Sequence, residues 1–400
     1  SGTERLSDAP LVDFSGPLVL TPTVQHYAWG MRGECEVKRL AGAVAGTPPY
    51  AELWIGAHPK SPSTATVAGN IVGLDRLIAQ APHEMLGQRV LATYGPILPF
   101  LLKVLSVNEP LSIQAHPHAE LAAELHARDP KNYPDCHAKP EMALALTEVK
   151  LLCGFRPAEE IASYLDRVPA LRTLAGEGAA SAFIRCYQHG GDLSAALRRL
   201  YANLMSADAE AVHRHSQALF SGLQKNSLDE ADNWVLQLQA SYPEGDVGLF
   251  SFYLMNILTL HPEEAVFLAP NTPHAYLSGE MVECMRNSDV VVRAGLTPKH
   301  KDVATLITML QYQMTRPTTV KKEVLEYQTG SCATYVTPTQ EFRLMEYQGA
   351  LRERLLPISD GPQLLFCTEG MGELVCGNAE HLQMQPGTAL FLPATAVSGK

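Results

Sequence analysis

The chain has 400 residues, more than one compact core usually holds, so we expect two or three domains. Its hydrophobic content of 46% indicates a well-buried globular protein, and its net charge of -11 argues against nucleic acid or an anionic membrane as the main partner. The start has no apolar signal core, no apolar run is long enough to span a membrane, and the eight cysteines form no C-x-x-C pair. We therefore expect a cytoplasmic protein with free thiols.

The first part of the chain, residues 17–155, is predicted to be mainly β-structure. Apolar segments at residues 17–20, 51–56 and 99–105 have strand-like composition and are separated by turn residues. Short strands with few long helices between them are typical of a sandwich or barrel. A helix signal follows at residues 117–128.

The character of the sequence changes over residues 156–245. Apolar residues there recur at helical spacing, and either Asp192 or Ser194 could cap the second helix. The predicted helices cover residues 158–168, 192–205, 207–224 and 228–241. We predict an all-helical insert, whose length is within the usual range for a domain.

Strand-like composition returns after the helices. Residues 246–324 include apolar segments at 256–260 and 265–268, and residues 325–400 include similar segments at 363–367 and 388–393. Two weakly similar β-units therefore bracket the helical insert. The predicted fold class is mainly β with an α-helical insert.

Four side chains are candidates for holding a divalent metal inside a β-barrel: Gln114, His116, Glu141 and His274. Gln114 and His116 are two residues apart, so on a strand both would lie on one face. Zinc favours nitrogen, oxygen and sulfur donors, and a neutral glutamine beside one carboxylate would leave a local charge of about +1, which keeps the metal a strong Lewis acid. A Gln-x-His pair alone is a weak motif, because single histidines on strands are more often core or surface residues.

Several basic residues lie near these donors in the sequence. Lys103 is in an apolar strand, Lys139 precedes Glu141 by two residues, and Arg293 ends an apolar segment. The planar fork of a buried arginine suits an oxyanion. Lys299 follows in the next turn. Each of these residues would fit equally well in a structural ion pair or at the surface.

Two further features allow both a functional and a structural interpretation. Glu280 and Glu283 flank an apolar dipeptide, where a raised pKa would let an acid carry a proton, although a solvated carboxylate fits the pattern as well. Trp29 could form the wall of a sugar pocket, but tryptophan more often fills a core.

These segments together resemble the type I mannose-6-phosphate isomerases, also called phosphomannose isomerases. The combination of Gln-Ala-His-Pro, Lys-Pro-Glu-Met and Val-Arg-Ala-Gly-Leu-Thr-Pro-Lys is highly specific. The matching segments follow the family order and are residues 27–30, 50–56, 99–105, 111–117, 137–142 and 273–298. The sequence departs from the family at Val290, where relatives often have asparagine.

The resemblance implies a cupin fold. Its catalytic β-barrel or jelly-roll domain would comprise residues 17–155 and 246–324, with the helical domain at 156–245 and a second, cupin-like β-domain at 325–400. It implies one Zn²⁺ per chain, held by the four donors named above, and it makes Arg293 the active-site arginine. It also places six residues in or near the substrate pocket: Ser112, Lys103, Lys139, Tyr276, Glu283 and Lys299.

The reaction implied by the resemblance interconverts mannose 6-phosphate and fructose 6-phosphate through an enediol and supplies mannose for GDP-mannose. Glu283 and Lys139 are both candidates for the base, and Ser112 with Lys103 or Lys299 would hold the phosphate. We expect a monomer that acts on a small phosphosugar. Two alternatives remain: a cupin metal enzyme of other chemistry, such as an iron oxygenase, and a non-catalytic sugar-binding protein.

Overall fold

The structure is a computed structural model that describes residues 14–223, 227–349, 359–377 and 380–398. The chain divides into two compact units. The first comprises Ser1–Ser106, Val282–Asn287 and Lys321–Lys400, and the second comprises Val107–Met281 and Ser288–Val320. Within the described ranges, no helix combines the length and the apolar character that crossing a membrane requires.

The strands follow one another along the chain as β1 (Leu18–Leu20), β2 (Thr23–Gln25), β3 (Glu52–Ile55), β4 (Thr64–Val67), β5 (Asn70–Gly73), β6 (Phe100–Val107), β7 (Ile113–Ala115), β8 (Glu141–Ala145), β9 (Val149–Phe155), β10 (Met255–Leu260), β11 (Ala265–Leu268), β12 (His274–Arg286), β13 (Val292–Gly295), β14 (Lys322–Glu326), β15 (Gly330–Tyr335), β16 (Leu344–Gly349), β17 (Gln363–Phe366), β18 (Gly372–Val375), β19 (His381–Met384) and β20 (Ala389–Leu392).

The α-helices are α1 (Glu36–Ala41), α2 (Leu74–Gln80), α3 (Pro82–Leu86), α4 (Gln88–Tyr94), α5 (Ala119–Arg128), α6 (Ala158–Arg167), α7 (Pro169–Ala175), α8 (Glu177–His189), α9 (Leu193–Met205), α10 (Ala209–Leu223), α11 (Glu230–Leu238), α12 (Ser251–Leu254), α13 (Val303–Met309) and α14 (Ala394–Val397). Two 3₁₀ turns lie at Gly42–Val44 and Val247–Phe250.

In the first unit, β3 pairs antiparallel with β2 and β6, which places Trp54 opposite Lys103. All four side chains of β3 are buried, and in β6 every residue after Phe100 is buried. Glu52 and Lys103 are thus charged residues inside otherwise apolar strands. The same unit contains the antiparallel groups β1-β20-β17, β14-β15-β16, β18-β19 and β4-β5.

In the second unit, β12 pairs antiparallel with β9 and with β7, and β7 in turn pairs with β13. Strand β9 also pairs with β10, and β8 pairs with β11. A continuous apolar core joins these strands to the helices, with Phe155, Phe183, Tyr201 and Phe252 among its largest buried residues.

The predicted helical insert is confirmed as a run of helices from α6 to α11. Asp192 caps α9 by accepting from the backbone N–H of Ala195, while the hydroxyl of Ser194 donates to the carbonyl of Tyr312. The insert leaves the sheet after Phe155 and returns at Met255, and these two residues are cross-strand partners. The predicted end of α10 at Gln224 lies outside the described residues.

The strands predicted at residues 17–20, 51–56 and 99–105 are confirmed as β1, β3 and β6, with small shifts at their ends. The short helices α2, α3, α4 and α13 were not anticipated, because five to seven residues do not establish a helical period. Among the described residues, the recorded strand pairings do not close a barrel. The eight cysteines are free thiols.

Candidate metal centre

Prolines fix the backbone at three of the predicted metal donors. Proline locks φ near the extended region, removes a backbone donor and also restricts the residue that precedes it. The three donors have proline as a direct neighbour, in the pairs His116-Pro117, Pro140-Glu141 and Pro273-His274. Proline therefore restricts the backbone of His116 itself and fixes φ of the residue just before Glu141 and His274.

His116, Glu141 and His274 converge in the second unit. The Nε2 atom of His116 lies 3.2 Å from Oε1 of Glu141, and Nε2 of His274 lies 3.4 Å from Oε2 of the same carboxylate. Their exposed fractions are only 2%, 3% and 2%, respectively. One candidate ligand atom from each residue lies within 4.8 Å of the others, which is close enough for one ion to bind all three.

Backbone carbonyls determine the tautomer of both histidines. Nδ1 of His116 lies 3.0 Å from the carbonyl oxygen of Val290, and Nδ1 of His274 lies 2.9 Å from that of Thr272. A carbonyl oxygen can only accept, so each Nδ1 carries a proton and donates it. In a neutral imidazole, Nε2 then presents a lone pair, which is the arrangement found in metal-binding histidines.

The environment of these lone pairs fits a cation. Both Nε2 atoms are buried and have no hydrogen-bond partner among the described residues, although each faces an oxygen of Glu141. Two acceptors that face one another in a buried site repel, unless a proton or a metal lies between them. Because burial lowers the pKa of His116, its imidazole favours the neutral form, and a divalent metal satisfies the three groups better than a proton.

Glu141 is held in the anionic form that a metal requires. Burial opposes its ionisation, but nearby positive charge, including that of Lys139, lowers the pKa of the carboxyl well below its usual value. The Nζ atom of Lys139 lies 3.4 Å from Oε1 of Glu141. Lys139 therefore contributes positive charge directly beside the cluster.

The strand register places Gln114 beside the cluster. Gln114 lies directly opposite His274 in the β7–β12 pairing and directly opposite Arg293 in the β7–β13 pairing. Cross-strand partners in an antiparallel sheet project from the same face. Gln114, His274 and Arg293 therefore share one face of the sheet, with Gln114 on the middle strand.

A glycine lies just after Arg293, at a point of close backbone approach. Gly295 has a φ of +138°, and a Cβ added there would lie 2.7 Å from the Cα of Gly248. Only glycine fits such an approach without a shift of the backbone, so this residue fixes the end of β13 just after Arg293.

Three further predicted residues lie in the second unit. Ser112 is half-buried and precedes Gln114 by two residues, while Tyr276 is buried and follows His274 by two residues. For His274 and Tyr276, which are both in β12, this spacing is that of one strand face, whereas Ser112 lies just before β7. Lys299 is exposed, and its backbone N–H donates to the Thr297 hydroxyl.

The other predicted residues lie in the first unit. Lys103 has only 8% of its surface exposed, and its Nζ atom lies 3.0 Å from Oε1 of Glu52 and 4.0 Å from Oε1 of Glu283. Trp54 donates from its indole nitrogen to the carboxylate of Glu52. The centroid of the Trp54 ring lies 4.7 Å from Nζ of Lys103. Trp29 is half-buried next to Tyr27.

Glu52 was not singled out in the sequence, although its position inside an apolar segment is visible there. A carboxylate inside the apolar segment at residues 51–56 requires a buried partner, which Lys103 supplies. The carbonyls of Val290 and Thr272, which orient the two histidines, leave no such signal, because every residue has a carbonyl.

The chain as a whole is similar to known proteins of one family. The catalytic-domain model of type I phosphomannose isomerase matches residues 18–158, and the model of its helical insertion domain matches residues 174–255. Mannose-6-phosphate isomerase of Rattus norvegicus is 39% identical over 402 residues, which cover 94% of this chain and 93% of the rat protein. This chain belongs to the type I phosphomannose isomerase family.

Solved structures of phosphomannose isomerases have the same fold. A point mutant of phosphomannose isomerase from Salmonella typhimurium matches with a TM-score of 0.83 and 32% identity, over 95% of each chain. A zinc-bound holo structure of mannose 6-phosphate isomerase matches with a TM-score of 0.80 and 32% identity, again over 95% of each chain. The likeness thus extends over both units of this phosphomannose isomerase family member.

Proposed function

We propose that this chain is a zinc-dependent isomerase that interconverts mannose 6-phosphate and fructose 6-phosphate. The observation that carries the proposal is the buried convergence of His116, Glu141 and His274, with two imidazole lone pairs directed at one carboxylate. Family membership supports the substrate, because the relatives from rat and other species are named mannose-6-phosphate isomerases.

Zinc would be held by the two Nε2 atoms, the carboxylate of Glu141 and the amide oxygen of Gln114. When bound, zinc would supply Lewis-acid polarisation of the sugar oxygens. A set of two histidines and one carboxylate also suits ferrous iron. Gln114 on the same face, and the zinc bound in a structure of a family member, favour zinc here.

The side chains of this chain would move the proton and orient the sugar. A base must remove the proton at C2 of mannose 6-phosphate and return it at C1, and Glu283 and Lys139 are the two candidates. Arg293, which is half-buried opposite Gln114, would orient the sugar oxygens or stabilise charge that develops on them. Ser112 with Lys103 or Lys299 would hold the phosphate, while Tyr276 and Trp29 would line the sugar site.

Finer features of the fold and of the biology remain predictions. These are closure of the catalytic domain into a cupin barrel, a cupin-like fold for residues 325–400, the domain boundaries at 155/156, 245/246 and 324/325, and an enediol intermediate. A cytoplasmic location, a monomeric state and a supply of mannose for GDP-mannose are also predictions.

An isomerase assay with and without a metal chelator tests the proposal. The purified protein should convert mannose 6-phosphate to fructose 6-phosphate, lose this activity to the chelator and regain it with zinc. Activity restored by ferrous iron and dependent on oxygen would favour the oxygenase alternative. Sugar binding without turnover in the zinc-loaded protein would favour a non-catalytic role.

A further inference from the structure

Asp135 connects two loops that both lead to the metal centre. Its Oδ1 atom accepts from the hydroxyl of Ser288 at 2.8 Å and from the backbone N–H of His137 at 3.0 Å. Its Oδ2 atom accepts from the backbone N–H of Asp289 at 2.8 Å. One carboxylate thus binds its own loop and the segment that follows β12.

The first connection leads to His116. Ser288 is buried, with 2% of its surface exposed, and its hydroxyl oxygen also accepts from the backbone N–H of Val290 at 3.3 Å. The carbonyl of Val290 is the acceptor that orients Nδ1 of His116. The bonds to Asp135 therefore fix the short segment whose carbonyl selects the tautomer and ring orientation of His116.

The second connection leads to Glu141. Asp135 begins the stretch that continues through Lys139 and Pro140 into β8, where Glu141 is the first residue. The Asx-type bond from the N–H of His137 to Asp135 fixes the start of this stretch. His274 is different, because its Nδ1 is held by Thr272, only two residues away in the same chain segment.

We infer that Asp135 is a positioning residue for the metal centre, acting on His116 and Glu141 and not on His274. The inference rests on the zinc site in the proposed function. Removing a group that orients a metal ligand typically weakens metal binding by about 10- to 100-fold. A carboxylate is needed here because all three of its partners are donors, and charge-assisted bonds to a carboxylate are stronger than neutral ones.

The variant Asp135→Asn tests the inference with little change of shape. An asparagine oxygen can accept from one side, but its NH₂ group would face a backbone or hydroxyl donor on the other. The metal-free protein is titrated with zinc alone against a competing chelating dye. We expect zinc binding to weaken about 10- to 100-fold, while the melting temperature of the metal-free protein stays close to that of the wild type.

The matched control is Asp129→Asn in the same loop. Asp129 accepts from the backbone N–H and the side-chain amide of Asn132, which is a local turn of the same kind. This variant should bind zinc as the wild type does. With Co²⁺ as the probe, Asp135→Asn should also shift the visible absorption bands of the bound metal, whereas Asp129→Asn should not, because only the former displaces a ligand.

A second variant keeps the test decisive if Asp135→Asn does not fold. Ser288→Ala removes the hydroxyl and its contacts with Asp135, the His137 carbonyl and the Val290 N–H, so it should weaken zinc binding several-fold. Unchanged zinc affinity in a folded Asp135→Asn protein, or in Ser288→Ala when the first variant does not fold, would overturn the inference and leave the zinc proposal intact. A wild-type protein that binds no zinc would instead overturn the proposed zinc site itself.

Discussion

Gln114 and His274 are direct cross-strand partners in the antiparallel pairing of β7 with β12. In sequence they lie on opposite sides of the helical insert, from α6 to α11, yet they project from the same face of one sheet. The insert can be accommodated because Phe155 and Met255, where it leaves and re-enters the sheet, are themselves paired. The geometry of the site is therefore set by the sheet register.

Removing a proposed ligand should lower the metal content. His274→Ala removes one of the three buried donors, and Gln114→Ala removes the amide on the neighbouring strand. Both variants should retain less zinc than the wild type after dialysis, and the loss should be larger for His274→Ala. Zinc per chain is measured by atomic emission. His261→Ala is the control, because His261 is an exposed imidazole in a turn. Wild-type zinc content in His274→Ala would remove this residue from the ligand set.

Arg293 should affect turnover without affecting metal binding. It lies opposite Gln114 and is assigned to the substrate, so Arg293→Ala should lower kcat by about 10²- to 10³-fold while zinc content stays unchanged. Arg293→Lys should recover little of the lost kcat, because an ammonium cannot reproduce the planar, forked geometry of the guanidinium. Retained turnover in Arg293→Ala would exclude the residue from the reaction.

The two candidate bases can be separated by isotope exchange. Conversion of mannose 6-phosphate in D₂O, followed by NMR, reports removal of the C2 proton. Replacing the true base should slow the exchange by about 10²- to 10⁴-fold. One of the two variants, Glu283→Gln or Lys139→Gln, should therefore show this slower exchange. Lys139 lies 3.4 Å from Oε1 of Glu141, so rates must be compared at equal zinc occupancy. Exchange at wild-type rates in both variants would exclude both residues.

The stability of the helical insert should depend on pH through Asp229. Burial opposes ionisation of this carboxyl, but hydrogen bonds from the Tyr164 hydroxyl and from the backbone N–H of Asp232 lower its pKa below the usual 3.8. A lowered native pKa means that ionised Asp229 stabilises the fold above about pH 4 and that this contribution disappears as the pH falls through the native value.

Asp229→Asn keeps the helix cap but removes the charge that pairs with Arg167 at 3.1 Å. Both side chains are well exposed, so the loss at neutral pH should be only about 0.2–1 kcal/mol, and it should shrink in acid. Thermal midpoints of the metal-free protein at several pH values measure this. Asp208→Asn, at the equivalent cap of α10, is the control. An equal difference at all pH values would contradict the assignment.

Local signals predicted several of the longer helices, but they missed α8, which has 13 residues. Helix α9 was predicted because Asp192 can cap it and its apolar residues recur at helical spacing, whereas the helices from α2 to α4 are too short for such a period. The residue types at the candidate centre were visible in the sequence, since Gln114 and His116 lie two apart near a proline. The register that places Gln114 between His274 and Arg293 was not, because it depends on pairing between distant segments.

The groups that support the site were hidden for a different reason. His116 and His274 are oriented by backbone carbonyls, and Asp135 acts through backbone N–H groups as well as a serine. Such contacts depend on loop conformation and not on residue type. In the first unit, by contrast, Glu52 did leave a side-chain signal, because it is a carboxylate in an apolar strand beside Lys103.

The proposed metal centre can be located by anomalous diffraction at the zinc absorption edge, measured from crystals of the zinc-loaded protein. We expect one strong anomalous peak per chain, about 2.0–2.2 Å from the Nε2 atoms of His116 and His274 and from the nearest carboxylate oxygen of Glu141. A strong peak elsewhere, or no peak among these three side chains in crystals that contain one zinc per chain, would contradict the proposed metal centre.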